Sequence, residues 1–390
     1  MAHELAFVLI NPYTIGKSRT GGVIGRIIAQ TGLDMVAARM FGPSRELVEK
    51  YAAMVRSDED IDPKARVLLS DYILRAYMPD PATGKRRRAM MLFFAGEDAI
   101  NRIHNATGNV RHNMESGRTV RDIYGDYILD KHGDVMYVEP AILIGTTRRS
   151  TEQVMRLWAE YSECDGGIIQ ECVDLPDEGD LEQTLVLIKP DNFRFPSARP
   201  GNIIDLFSGS GLRIIGARMV RMSVSQAERF YGPVRDVLRE KLKGIVAERS
   251  MHALSGELGL EIPDDIKQEL GDMLGPVYGD HQFYEIIQFM TGHWAPSCPA
   301  EEKDRPGKER CLALIYCGVD AVNIIRGILG PTDPSKARPG SVRREFGQDI
   351  MVNAAHASDS TENAKREMDI IKVQEDTVAN WIEKYYGEDG

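Results

Sequence analysis

The chain is written twice, and that duplication limits what it can fold into more than any single motif does. Leu185-Val-Leu-Ile188-Lys189-Pro190 echoes Phe7-Val-Leu-Ile10-Asn11-Pro12, and Gly211-Leu-Arg-Ile-Ile-Gly-Ala-Arg218-Met219 echoes Gly32-Leu-Asp-Met-Val-Ala-Ala-Arg39-Met40. Asp320-Ala-Val-Asn323 matches Asp98-Ala-Ile-Asn101, Val342-Arg343 matches Val120-Arg121, and Ser360-Thr-Glu362 matches Ser150-Thr-Glu152. Two long copies mean one duplicated domain, not a solenoid of short units. The offset between copies is 178 at Asn11/Lys189, 222 at Arg121/Arg343 and 210 at Ser150/Ser360. The second copy therefore carries an insertion, placed at about 235–278, and a lengthened connection at 292–310. The first copy carries its own near Leu129–Val138. On this reading residues 1–164 form one domain, the acidic stretch 165–182 a linker, and 183–390 a second domain.

Each copy interleaves strands and helices. In the second, apolar runs at Thr184–Ile188, Leu212–Val220, Cys311–Tyr316 and Asp349–Ala354 read as strands. Helices are expected around Asn202–Phe207, from Ser225, at Ala321–Ile328, and after Ser358/Asp359, where Glu362 stands at capping-box spacing from Asp359. This predicts an α+β chain of two tandem ferredoxin-like sandwich domains, each an antiparallel four-stranded sheet covered by helices.

A net charge of -11 argues against nucleic acid or an anionic membrane as the main partner. No apolar run reaches membrane-spanning length. The start lacks the basic-then-apolar build of a secretory signal, and five scattered cysteines without a Cys-x-x-Cys pair suit free thiols in a reducing cytoplasm. Cys311 and Cys317 read as small core residues, and Lys85-Arg-Arg-Arg88 as a solvated charge run. Gly16-Lys17-Ser18 lacks the first glycine of a P-loop, and Gly209-Ser-Gly211 lacks the third of a dinucleotide fingerprint. His281 and His293 have no ligand partners at metal-binding spacing.

The chemistry gathers near the end of the second copy. Asn353-Ala-Ala-His356-Ala-Ser358-Asp359-Ser360 sets one imidazole among small residues, accessible to a substrate. Upstream, Arg326-Gly-Ile-Leu-Gly330-Pro-Thr332 and Gly340-Ser-Val-Arg343-Arg344 bring two guanidinium groups and a hydroxyl on Gly/Pro-containing segments, which suits a polyphosphate. A nucleophilic histidine beside such a clamp points to phosphoryl transfer through a phosphohistidine. Arg344 reads as surface charge.

These residues carry a family resemblance. From Gln183 to Ile382, insertions aside, the second copy resembles nucleoside diphosphate kinase, with Ile188-Lys189-Pro190-Asp191 as an opening motif and an ungapped block from Arg326 to Glu367. The resemblance implies a magnesium-dependent, ping-pong transfer of the γ-phosphoryl group from ATP or another nucleoside triphosphate to a nucleoside diphosphate. His356 would be the nucleophile, and Glu367 would hold its other ring nitrogen, with Ser358 beside it. Lys189 and Asn353 would reach the sugar and phosphates, while Arg326, Thr332 and Arg343 hold the β- and γ-phosphates. Tyr231 would border the phosphoryl path, and Phe283 is the match for a ring stacking on the base. Mg²⁺ would ride on the nucleotide's phosphates, with Asp359 contributing through water and no direct protein ligand. The family is oligomeric, which implies an internal pseudo-dimer of the two domains and association into a homo-oligomer.

The first copy departs from the pattern. Asn11 stands for Lys189, His104 for Arg326 and Val110 for Thr332; alignment on Ser150/Ser360 puts Thr146, or Gly145 one residue earlier, at the position of His356. Only Tyr51 and Arg121 survive, so this half reads as catalytically silent. The alternative function is a non-enzymatic nucleotide-binding or scaffold protein on the same fold, its site closed by the insertions.

Overall fold

Ten strands make two four-stranded sheets and one hairpin in the computed structural model, which describes residues 3–110, 117–132, 135–176 and 179–387. The first sheet uses β1 (His3–Ile10), β2 (Asp34–Phe41), β3 (Ala89–Glu97) and β6 (Ile142–Leu143) in the order β2-β3-β1-β6. The second uses β7 (Leu181–Ile188), β8 (Arg213–Val220), β9 (Cys311–Val319) and β10 (Ala355–Ala357) in the order β10-β7-β9-β8. The two orders are the same when β1, β2, β3 and β6 are matched to β7, β8, β9 and β10. Register agrees as well: Ile10 faces Met90 in one sheet and Ile188 faces Leu312 in the other, both antiparallel. Each copy is a ferredoxin-like α+β sandwich. β4 (Asp126–Leu129) and β5 (Val135–Glu139) form the hairpin, which is the first copy's expected insertion; residues 133–134 within it lie outside the described residues.

The core strands are continuous apolar runs because both faces of each sheet are covered. Cys311 to Cys317 is buried at every position, so both cysteines are core residues. Helices Thr20–Thr31 and Arg199–Ser208, equivalent in the repeat, pack on each other through glycines. A Cβ added to Gly21 would stand 2.4 Å from the Gly201 carbonyl oxygen, so only hydrogen fits there.

Some expectations are corrected. The fourth strand is Ala355–Ala357, not Asp349–Ala354. The Asp349 carboxylate accepts from the N–H groups of Met351 and Val352 at 2.8 and 2.7 Å, closing a turn that takes those donors away from the sheet. The following helix begins at Thr361, with the Ser360 hydroxyl accepting from Asn363 N–H; the cap is thus Ser360, not an Asp359/Glu362 box. Lys85–Arg88 is not a solvated run either. Arg86 pairs with Asp165 at 2.7 Å, and Arg88 is 1% exposed, bonded to Asp174 and the Ile214 carbonyl. A buried guanidinium needs such partners, and the bond to Ile214 ties the first copy to the second.

The chain divides into two compact units that cut across the repeat. One holds both sheets (Met1–Met219, Leu312–Met368 and Lys372–Gly390), and the other is Val220–Cys311 with Asp369–Ile371. Within the larger unit, the helix Val378–Tyr386 belongs to the second copy by sequence yet packs on the first. Val378, Ile382 and Tyr386 join the core around Phe7, Phe41 and Trp158, and the Tyr386 hydroxyl donates to the Leu5 carbonyl. The stretch expected as a linker opens with Asp165, 1% exposed, whose carboxylate accepts from Ser44 N–H and Arg86; residues 177–178 of it lie outside the described residues.

The smaller unit is built on helices Val224–Lys241, Lys243–Leu258 and Asp264–Thr291. Gly271, Gly275 and Gly279 line the contact face of the third helix; a Cβ on Gly279 would stand 2.5 Å from the Arg239 Cα. That closeness lets Asp280 take both Arg235 and Arg239, at 2.8 and 2.6 Å.

Candidate active site

The site begins with a backbone crossing at the open end of β7. Lys189 N–H donates to the Ala354 carbonyl, as does the Asn192 side-chain amide at 2.8 Å. Ala354 has φ of +69°, a left-handed conformation that costs a side-chain-bearing residue about 1–2 kcal/mol. This turn launches β10, which pairs Ala355 with Ile188 and His356 with Leu187. Buried alanines flank His356, and its side chain keeps 22% of its surface exposed.

His356 Nε2 lies 2.9 Å from Glu367 Oε2, and the buried Ser358 hydroxyl donates to that same oxygen at 2.7 Å. Arg366 approaches the other carboxylate oxygen at 3.5 Å. An ionised carboxylate only accepts, so Nε2 carries the proton and Nδ1 holds the ring's lone pair. Glu367 therefore fixes both tautomer and ring orientation, and Ser358 fixes Glu367.

Around the imidazole the cationic residues are tied to one frame. Lys189 Nζ donates to Asn353 Oδ1 at 2.7 Å and to the Met351 carbonyl at 3.2 Å. The Asn353 amide donates to the Ile350 and Thr332 carbonyls at 2.6 and 3.2 Å. Arg343 donates to Gly330 and Ala355 carbonyls, at 2.9 and 3.2 Å, which sets it beside the histidine strand. Arg326, on the helix Ala321–Leu329, and Thr332 are exposed. Asp191 lies under Lys189; burial pushes its carboxyl up, against the opposing pull of Lys189 and Arg199. Asp359 is exposed and accepts from the Asn363 amide.

The structure thus joins Lys189, Thr332, Arg343, Asn353, His356, Ser358 and Glu367 through hydrogen bonds and neighbouring backbone. Tyr231 and Phe283 belong to the smaller unit. There Phe283 is 2% exposed, inside the long helix, with the Arg235 guanidinium 5.4 Å from its ring centre. A ring covered in that way offers no face to a base, which withdraws the stacking role expected of it. Tyr231 is also buried, 4.9 Å from the Phe230 ring centre. Asn192 was missed by sequence reasoning, although its repeat counterpart Thr14 makes the same bond, to the Ala141 carbonyl.

The first copy reproduces the frame with different side chains at the equivalent positions. Asn11 N–H donates to the Ala141 carbonyl, and Ala141 has φ of +61°, matching Lys189 and Ala354. Leu9 pairs with Leu143, as Leu187 pairs with His356. Leu143, not Thr146 or Gly145, is therefore the counterpart of His356. The register runs on through the helix cap, where Thr147 accepts from Ser150 as Ser360 accepts from Asn363. Carried along, it sets Gly145 against Ser358 and Val154 against Glu367. The sequence alignment erred because it matched identical letters, Ser150 with Ser360, where the caps are three residues out of step.

A family model described as "Nucleoside diphosphate kinase" matches residues 182–244 and 305–376 and skips most of the helical unit. A curated nucleoside diphosphate kinase of Campylobacter fetus is 30% identical over 188 residues, 48% of this chain and 93% of the relative. Another, from Staphylothermus marinus, is 30% identical over 200 residues, covering 51% and 98%. The solved NDP kinase of Pyrobaculum aerophilum aligns at 26% identity and a TM-score of 0.32, over 49% of this chain and 95% of that one.

Proposed function

Because the chain belongs to the nucleoside diphosphate kinase family, through its second copy, we propose that it is itself a nucleoside diphosphate kinase working by a ping-pong mechanism at His356. The observation that carries this reading is the Ser358–Glu367–His356 relay, which directs the Nδ1 lone pair away from Glu367. Nδ1 attacks the γ-phosphorus of a nucleoside triphosphate; the bond to the bridging oxygen breaks, and the diphosphate leaves with that electron pair. A second diphosphate then attacks the phosphohistidine through a terminal oxygen; the Nδ1–P bond breaks, its electron pair returns to Nδ1, and the diphosphate leaves as the triphosphate. Glu367 balances the positive charge that forms on the ring, retaining the hydrogen bond from Nε2 throughout.

Lys189, Arg326, Thr332 and Arg343 supply dispersed positive charge and a hydroxyl to the phosphates, and Asn353 holds Lys189 in place. Among the described residues no three carboxylate, imidazole or thiol groups gather as a metal site. Mg²⁺ would arrive as part of the substrate, on the nucleotide's phosphates, where it would neutralise charge, and Asp359 would contribute through water. The first copy, with Leu143, Gly145 and Val154 at the relay positions, takes no part in transfer.

The test is incubation with γ-labelled ATP, then a chase with GDP. The wild type should take up an acid-labile label that GDP removes, and His356→Ala should take up none. A wild type that never labels rejects the proposal.

A further inference from the structure

The first copy retains a cavity of about 640 Å³ at the counterpart of the candidate active site. Tyr51, His104, Val110, Arg121 and Leu143 line it, and all but Tyr51 stand at the repeat positions of Arg326, Thr332, Arg343 and His356. Such a volume accommodates a small organic molecule. Its chemistry has been changed more than lost. The lysine, one arginine and the threonine of the polyphosphate clamp are gone, and apolar Val110 and Leu143 replace polar groups, beside Leu69 and Ile73.

One cation remains. Arg121 is 5% exposed and donates to the Gly108 and Ile142 carbonyls at 2.6 and 3.3 Å, the same two positions that hold Arg343. Its Nε is buried with no acceptor, and no carboxylate pairs with it among the described residues. Burial without a counter-charge pushes this guanidinium down to about 10. A buried charge of this kind is costly unless an anion meets it. Two carboxylates, Asp60 and Asp62, also stand in the wall, accepting from Thr147 and from Ala65 N–H respectively. Asp60 also faces Arg149 at 3.7 Å, and the two carboxylates together disfavour a polyanion more than a ligand with a single anionic group.

We propose that the first copy is a separate binding site for a small molecule carrying one anionic group on an apolar body, with Arg121 as the anion's partner, and that it has ceased to be a triphosphate site. The site is independent of His356. The probe is anilinonaphthalene sulfonate, one sulfonate on aromatic rings, titrated by fluorescence into the full chain and into Arg121→Gln and Thr146→Trp. Thr146→Trp fills the cavity without touching the charge. Wild type should bind with a saturable component that weakens about tenfold or more in Arg121→Gln and vanishes in Thr146→Trp. Displacement by AMP would identify a nucleoside monophosphate as the natural class, and displacement by benzoate an organic carboxylate. A dye signal that survives Thr146→Trp overturns the proposal even if Arg121→Gln does not fold. So does displacement by ATP at lower concentration than by either competitor.

Discussion

Leu143 and His356 occupy one register position in two copies of the same sheet, paired with Leu9 and Leu187 respectively. The backbone that delivers them is the same down to a positive-φ alanine two residues earlier. The protein therefore contains its own control: one frame with the relay and one without.

That control makes a first prediction. Leu143→His in a His356→Ala background should give no acid-labile label from γ-labelled ATP. The new imidazole would have Val154 and Gly145 where Glu367 and Ser358 are needed, and Asn11 in place of Lys189. It should also destabilise the chain by about 1–3 kcal/mol in denaturant melts, since Leu143 is buried. Labelling would mean that the imidazole alone suffices.

Within the second copy, the relay predicts graded effects on transfer. Glu367→Gln loses a hydrogen bond to a charged group and should lower kcat about 10–100-fold. Ser358→Ala removes only the anchor of Glu367 and should cost about 2–10-fold. Steady-state rates with ATP and a diphosphate acceptor check both; equal losses would contradict the order His356, Glu367, Ser358.

The C-terminal helix carries a stability prediction. Ile382 is 2% exposed in the first copy's core. Ile382→Ala should cost about 2–5 kcal/mol. Hydrogen exchange should report the loss in β1 and in the helix Arg148–Glu160, because the residue supports the first copy although it follows the second in sequence.

Acid sensitivity is expected in the helical unit. Hydrogen bonds from Arg239 and Arg235 hold the Asp280 carboxyl well below the usual carboxylate range. Its stabilising effect is complete above the unfolded value of about 4 and disappears as pH falls through the folded one. Asp280→Asn should thus destabilise by about 0.5–1 kcal/mol at neutral pH. The gap from wild type should close in acid, as followed by thermal melts across pH; a gap that widens there would refute the assignment.

Much was legible in the sequence because it depends on local pattern. The apolar runs of β7 to β9, the helix Ala321–Leu329 and the duplicated segments follow from periodicity and repetition, which any copy of the chain displays. His356 and Arg343 could be singled out as an imidazole among small residues beside a guanidinium clamp, and Lys189, Asn353 and Glu367 through the resemblance to nucleoside diphosphate kinase. Only the tertiary structure could decide what depends on distant partners. Strand pairing, not letter identity, aligned Leu143 with His356, because hydrogen-bond register is fixed between strands far apart in the chain. Burial beneath Arg235 closed the face of Phe283, and ion pairing with Asp174 drew Arg88 out of solvent. The destination of Val378–Tyr386 was set by which core had a vacant apolar face, and no spacing along the chain encodes that.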